Sequence, residues 1–144
     1  MGRFMDAQSP LLPTLRAAID RLIPADDFPS ASQADVDGFI LALFAGDRRE
    51  DADQLESGLA SLDAEARSEG GKSFAALSNA LQDEILDRVE RGVTHTAWAY
   101  PPMQFFRLLL NVTAEGYFHD PSGGGNRGTI SWTMLGYDPG ANRP

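Results

Sequence analysis

Apolar residues recur at helical spacing in five stretches of this chain, with turn-forming residues between them. Leu12, Leu15, Ile19, Leu22 and Ile23 share one face of a first helix that runs from Leu11 or Leu12 to Ile23. Pro13 suits its first turn, where a missing N–H costs nothing, and Pro24 stops it. After the turn-rich link Pro24-Ala-Asp-Asp-Phe-Pro-Ser30, a second helix is predicted to open at Ser32. Asp35 stands three residues on, as in a capping box. Its stripe of Val36, Phe39, Ile40, Leu43 and Phe44 is wide and aromatic, and Gly46 ends it. A third helix fits Asp51 to about Arg67, with Leu55, Leu59, Leu62 and Ala66 on one face. Gly58 inside it costs roughly 1 kcal/mol against Ala. Gly70 and Gly71 end it, and a short piece from Ser73 to Leu77 follows. Ser78 caps a fourth helix whose buried side is Leu81, Ile85, Leu86 and Val89, and Gly92 ends that one. Val93 to Tyr100 reads as an aromatic loop. Pro101 and Pro102 then start a fifth helix through about Phe118. Its Phe105, Phe106, Leu108, Leu109, Leu110 and Val112 make it apolar nearly all round, so it is either central to the core or covered by a partner.

After Asp120 the pattern changes to a Gly-rich tail with few apolar residues. Thr129 to Leu135 suits one short extended piece without a strand to pair with, so no sheet is expected. The fold class predicted is all-α, a compact bundle of about five helices with a Gly-rich, irregular C-terminal tail. Residues 1–10 read as a flexible N-terminal arm and 11–144 as one helical domain.

Composition narrows the function classes. The net charge is −9, from 12 Lys and Arg against 21 Asp and Glu, which argues against nucleic acid and anionic membrane surfaces as partners. The same charge would complement a basic patch on a protein. With no Cys, disulfides, thiolate metal sites and Cys nucleophiles are excluded. No stretch is long and apolar enough to span a bilayer, so direct membrane insertion is not expected. The first ten residues carry neither a secretory signal nor a twin arginine. As written, the chain is expected to be cytoplasmic, or periplasmic if a leader was removed.

Candidate chemistry is sparse. Gly123-Gly-Gly-Asn-Arg-Gly128 matches the dinucleotide-binding pattern of spaced glycines. That cradle needs a strand before it, a helix after it and an acidic residue about 20 positions on; here a helix precedes, an extended piece follows, and no acidic residue stands at that spacing. Glu115 and His119 are four apart on a helix, with Asp120 adjacent, but a zinc site wants three protein ligands and these residues also read as a solvated helix end. His95 has no evident partner. No nucleophile elbow of the hydrolase type occurs, and the carboxylate pairs sit at turns and helix starts, where they cap. Trp98, Tyr100, Phe105, Phe106, Tyr117, Phe118, Trp132 and Tyr137 crowd the last third; for any one of them core is the better reading, while the cluster with Arg127 fits an interface.

Three blocks of sequence resemble one family. The first is Leu15-Arg-Ala-Ala-Ile-Asp-Arg-Leu-Ile-Pro-Ala-Asp-Asp-Phe-Pro29. The second is Gly58-Leu-Ala-Ser-Leu-Asp-Ala-Glu-Ala66 with Phe74-Ala-Ala-Leu-Ser78. The third joins Phe105-Phe-Arg-Leu-Leu109, Thr113-Ala-Glu-Gly-Tyr-Phe118, Asp120-Pro121, Gly124-Gly-Asn-Arg-Gly128, Trp132 and Leu135-Gly-Tyr137. In this order they resemble the small-subunit family called gluconate 2-dehydrogenase subunit 3. The resemblance implies a non-catalytic small subunit without a cofactor of its own. It would pair with a large FAD-dependent oxidoreductase of the glucose–methanol–choline type that oxidises a sugar or polyol. A cytochrome subunit often carries the electrons onward. The small subunit is needed for maturation of the large one, and in many members a twin-arginine leader on it exports both. Ser122 stands where the family often has an aromatic residue.

The reading is therefore an accessory subunit that stabilises and matures a flavoprotein partner. The residues expected to bind it are Tyr117, Phe118, Asn126, Arg127 and Trp132, on or beside the polar tail. The alternatives are a small metal enzyme built on Glu115, His119 and Asp120, a general helical chaperone, and a self-assembling bundle.

Overall fold

A computed structural model of the chain describes Met5, Asp6 and residues 8–118. Among these residues it contains five α-helices and no strand: α1 Leu12–Leu22, α2 Val36–Ala45, α3 Ala52–Gly70, α4 Asn79–Arg91 and α5 Pro102–Tyr117. Short 3-10 turns, Arg49–Asp51 and Phe74–Ala76, lead into α3 and α4. Expected and observed helices coincide to within a few residues. Thr129 to Leu135 lies outside the described residues.

The helix ends follow from local chemistry. Ser78 accepts a hydrogen bond from the Leu81 N–H at 3.2 Å and so caps α4 as expected. Gly92, at φ 76°, supplies the left-handed residue that closes it. The start of α2 differs from the expectation. Ser32 does not cap it, because its N–H and hydroxyl both go to the Asp20 carboxylate of α1, at 2.7 and 2.6 Å. The chain then turns once more, and α2 begins at Val36 behind Asp35, a left-handed residue at φ 64°.

α5 is the centre of the bundle, touching α1, α2, α3 and α4. Phe105, Phe106, Leu109, Val112 and Tyr117 are buried along it, so of the two readings offered by its apolar circumference the central one holds. Leu15, Ile19, Ile40, Phe44, Leu55, Leu59, Leu62, Phe74 and Ile85 complete the core. Met5, inside the stretch read as an arm, packs into that core at 6% exposure.

Gly58 of α3 is where α5 comes closest. A Cβ there would lie 2.0 Å from Cδ1 of Phe105, far inside van der Waals contact. The glycine that looked like a propensity cost lets the Phe105 ring lie against the α3 backbone.

Candidate functional site

The connector between α4 and α5, residues 92–101, is held by a carboxylate with no access to solvent. Glu65 projects from α3 beside the Leu55, Leu59, Leu62 and Ala66 stripe, with its side chain at 0% exposure. Its Oε2 accepts the His95 N–H at 2.6 Å. Its Oε1 accepts the Thr96 hydroxyl, the Thr96 N–H at 3.2 Å and the Trp98 indole N–H at 3.3 Å. Arg88 of α4 adds its guanidinium, with Nη2 3.6 Å from Glu65 and 2.9 Å from Glu69. The His95 ring is 3.4 Å from Glu69. Burial by itself would push the Glu65 pKa up. The donors of Thr96, His95 and Trp98 outweigh it, and the carboxyl titrates below its ordinary 4.5.

The connector is braced a second time through its tryptophan. The Trp98 ring packs on Phe105 at 5.7 Å between centroids, and Phe105 in turn lies against Gly58. Gly58, Phe105, Trp98 and Glu65 thus form one continuous support from α3 to the connector.

That support carries exposed apolar surface. The large hydrophobic residues left open to solvent among the described residues are Val93 at 50%, Tyr100 at 37% and Met103 at 43%. All three fall within the connector and the first turn of α5. Met103 reaches back over Gly92, where an added Cβ would come within 3.1 Å of its sulfur. Exposed apolar side chains on a well-anchored segment are a feature of protein interfaces.

The residues expected to bind a partner are placed differently. Tyr117 is 1% exposed, and its hydroxyl donates to the Pro29 carbonyl at 2.7 Å. It fastens the end of α5 to the α1–α2 link and is packed within the chain itself. An aromatic residue beside a polar tail reads as an interface residue until its distant carbonyl acceptor is known. Phe118 is partly buried, edge-on to Tyr117 at 5.4 Å. Asn126, Arg127 and Trp132 lie outside the described residues, as do His119, Asp120 and the glycine pattern. Glu115 is exposed on α5, and no group of three or more His, Asp or Glu side chains that could hold a metal occurs among the described residues.

A polar cleft of about 360 Å³ opens between α1, the α1–α2 link and α4, lined by Asp20, Arg21, Ser30, Gln33, Asn79 and Gln82. Most of its polar groups are engaged within the chain. Asp20 holds Ser32, Arg21 grips Asp83 at 2.7 and 3.0 Å, Ser30 and Gln33 bond each other, and Gln82 donates to the Phe74 carbonyl. Nothing there pairs a nucleophile with a base.

No helix among the described residues is long and apolar enough to cross a membrane. Comparison with curated proteins and with solved structures finds no match. The sequence model of one family, described as gluconate 2-dehydrogenase subunit 3, does match, over residues 12–140. That span takes in every helix of the bundle and all three blocks of resemblance, and the chain belongs to the gluconate 2-dehydrogenase subunit 3 family.

Proposed function

We propose that this chain is the accessory subunit of an FAD-dependent sugar or polyol dehydrogenase, and that it docks on the large subunit through the α4–α5 connector and helps that subunit mature. The observation that carries the reading is that exposed Val93, Tyr100 and Met103 all fall in one stretch, the connector pinned to buried Glu65 and the first turn of α5. The family's name supports a place among the subunits of a dehydrogenase. The net charge of −9 supports a basic protein surface as the partner.

In this reading hydride removal from the sugar carbon belongs to the FAD of the large subunit. The small chain contributes a preformed apolar surface, so little conformational entropy is lost on docking. Asn126, Arg127 and Trp132 are proposed to extend the contact on the C-terminal side.

The test is Val93→Asp with Met103→Asp. Both positions are exposed, and Asp at 103 sits favourably in the first turn of α5, so the isolated chain should stay within about 0.5 kcal/mol of wild type. Affinity for the co-expressed large subunit should fall roughly 30-fold, as for loss of an interface anchor. Undiminished affinity would remove the connector from the interface.

A further inference from the structure

Tyr100 borders a shallow depression of about 400 Å³ whose other walls are Leu11, Asp53, Glu56, Ser57 and Ala60. We infer that this depression receives an arginine side chain of the large flavoprotein subunit, an inference that rests on the docking function proposed above. Asp53 and Glu56 stand three apart on α3 and so share a face, together with Ser57 and Ala60. Neither carboxylate has an ion-pair or hydrogen-bond partner among the described residues, while Asp51 and Asp63 on either side of them are held by Arg48 and Arg67. The depression therefore brings two carboxylates outside any ion pair together with Tyr100, which is 37% exposed, and with Leu11.

That combination selects the ligand. A metal ion would need a third hard donor and would gain nothing from an aromatic wall and a leucine. A lysine ammonium would satisfy the charge but is compact and strongly hydrated. A guanidinium is planar, weakly hydrated, stacks on a tyrosine ring and forks its N–H groups between two carboxylates, while its methylene stem covers apolar surface. Tyr100 also belongs to the connector already assigned to docking, so the depression continues that interface without a second site.

The experiment measures affinity of the full chain for the co-expressed large subunit at low and high NaCl. The proteins are wild type, Asp53→Asn/Glu56→Gln, Tyr100→Leu and Tyr100→Phe, each first checked for an unchanged thermal melt. The double neutral variant should bind roughly 10-fold more weakly at low salt and lose most of the salt dependence. Tyr100→Leu should weaken binding roughly threefold or more, and Tyr100→Phe, which keeps the ring, should restore it. If the neutral variant binds as tightly as wild type with the same salt dependence, while Val93→Asp/Met103→Asp still disrupts the complex, the arginine pocket is wrong and the docking function stands. If wild type forms no complex, both fall. If instead the chain self-associates and the neutral variant is monomeric, the occupant is a second copy and the inference is overturned.

Discussion

Glu65→Ala should lower the stability of the isolated chain by about 3 kcal/mol, the upper end of the cost of leaving buried donors without an acceptor. The reason is the number of groups left without an acceptor. The His95 N–H, the Thr96 N–H and hydroxyl and the Trp98 indole all terminate on this carboxylate, and Arg88 lies beside it. Glu69 keeps hold of Arg88 at 2.9 Å, so the guanidinium is not stranded, but the connector loses its hydrogen bonds to α3 and keeps only the His95 ring beside Glu69 and the packing of Trp98 on Phe105. Urea unfolding would give the loss. The Trp98 contribution to fluorescence should shift to the red, and amide exchange at His95 and Thr96 should accelerate more than exchange in α4. A loss below about 1 kcal/mol with slow exchange at both amides would show that the connector is held by packing alone.

The same variant carries a pH signature. The folded pKa of Glu65 lies below its ordinary 4.5, so the unfolded chain binds the proton more readily. The stabilisation is therefore complete above pH 4.5 and is lost as the pH falls through the folded pKa. The gap in stability between wild type and Glu65→Ala should be constant near neutrality and shrink in acid. A gap that widened in acid would contradict the assignment.

Gly58→Ala should cost about 3 kcal/mol, at the upper end of the usual overpacking range. The added carbon would stand 2.0 Å from Cδ1 of Phe105, and that ring, at 0% exposure, has no free volume to enter. Because Phe105 supports Trp98, the strain should also loosen the connector. Gly116→Ala is the informative comparison. Its added carbon would meet Cδ2 of Phe39 at 2.6 Å and Cγ1 of buried Val36 at 3.0 Å; the Phe39 ring is only partly buried and the Val36 contact needs a shift of a few tenths of an ångström, so a smaller loss is expected. Shortening the obstructing side chain in Gly58→Ala/Phe105→Leu should recover part of the stability. Equal losses at Gly58 and Gly116 would mean that the Phe105 contact is not what fixes the glycine.

The bundle was readable from the sequence because each helix carries its apolar stripe and its stops in local sequence. Pro24, Ser78 and Gly92 act on neighbouring backbone, and their effects were foreseen. What escaped was everything that acts at a distance. Ser32 looked like a cap because of Asp35, yet its hydroxyl is taken by Asp20 on another helix. Gly58 reads as a weak helix residue until the ring opposite it is known. Glu65 has no partner in its local sequence that would mark it as buried. The signal that could have found it is its place beside the Leu62 and Ala66 face, together with an otherwise unexplained run of His95, Thr96 and Trp98. The Tyr117 hydrogen bond is hidden for the same reason, since its acceptor, the Pro29 carbonyl, is 88 residues away.

The most direct test of the central claim is to express a large FAD-dependent dehydrogenase subunit from the same genome with and without this chain. The readouts are soluble yield, flavin content, dye-linked sugar oxidation and the mass of any complex. The account predicts a stable heterodimer, with flavin-loaded and active large subunit only when both chains are present. A large subunit equally soluble, flavin-loaded and active on its own, with no complex formed, would contradict it.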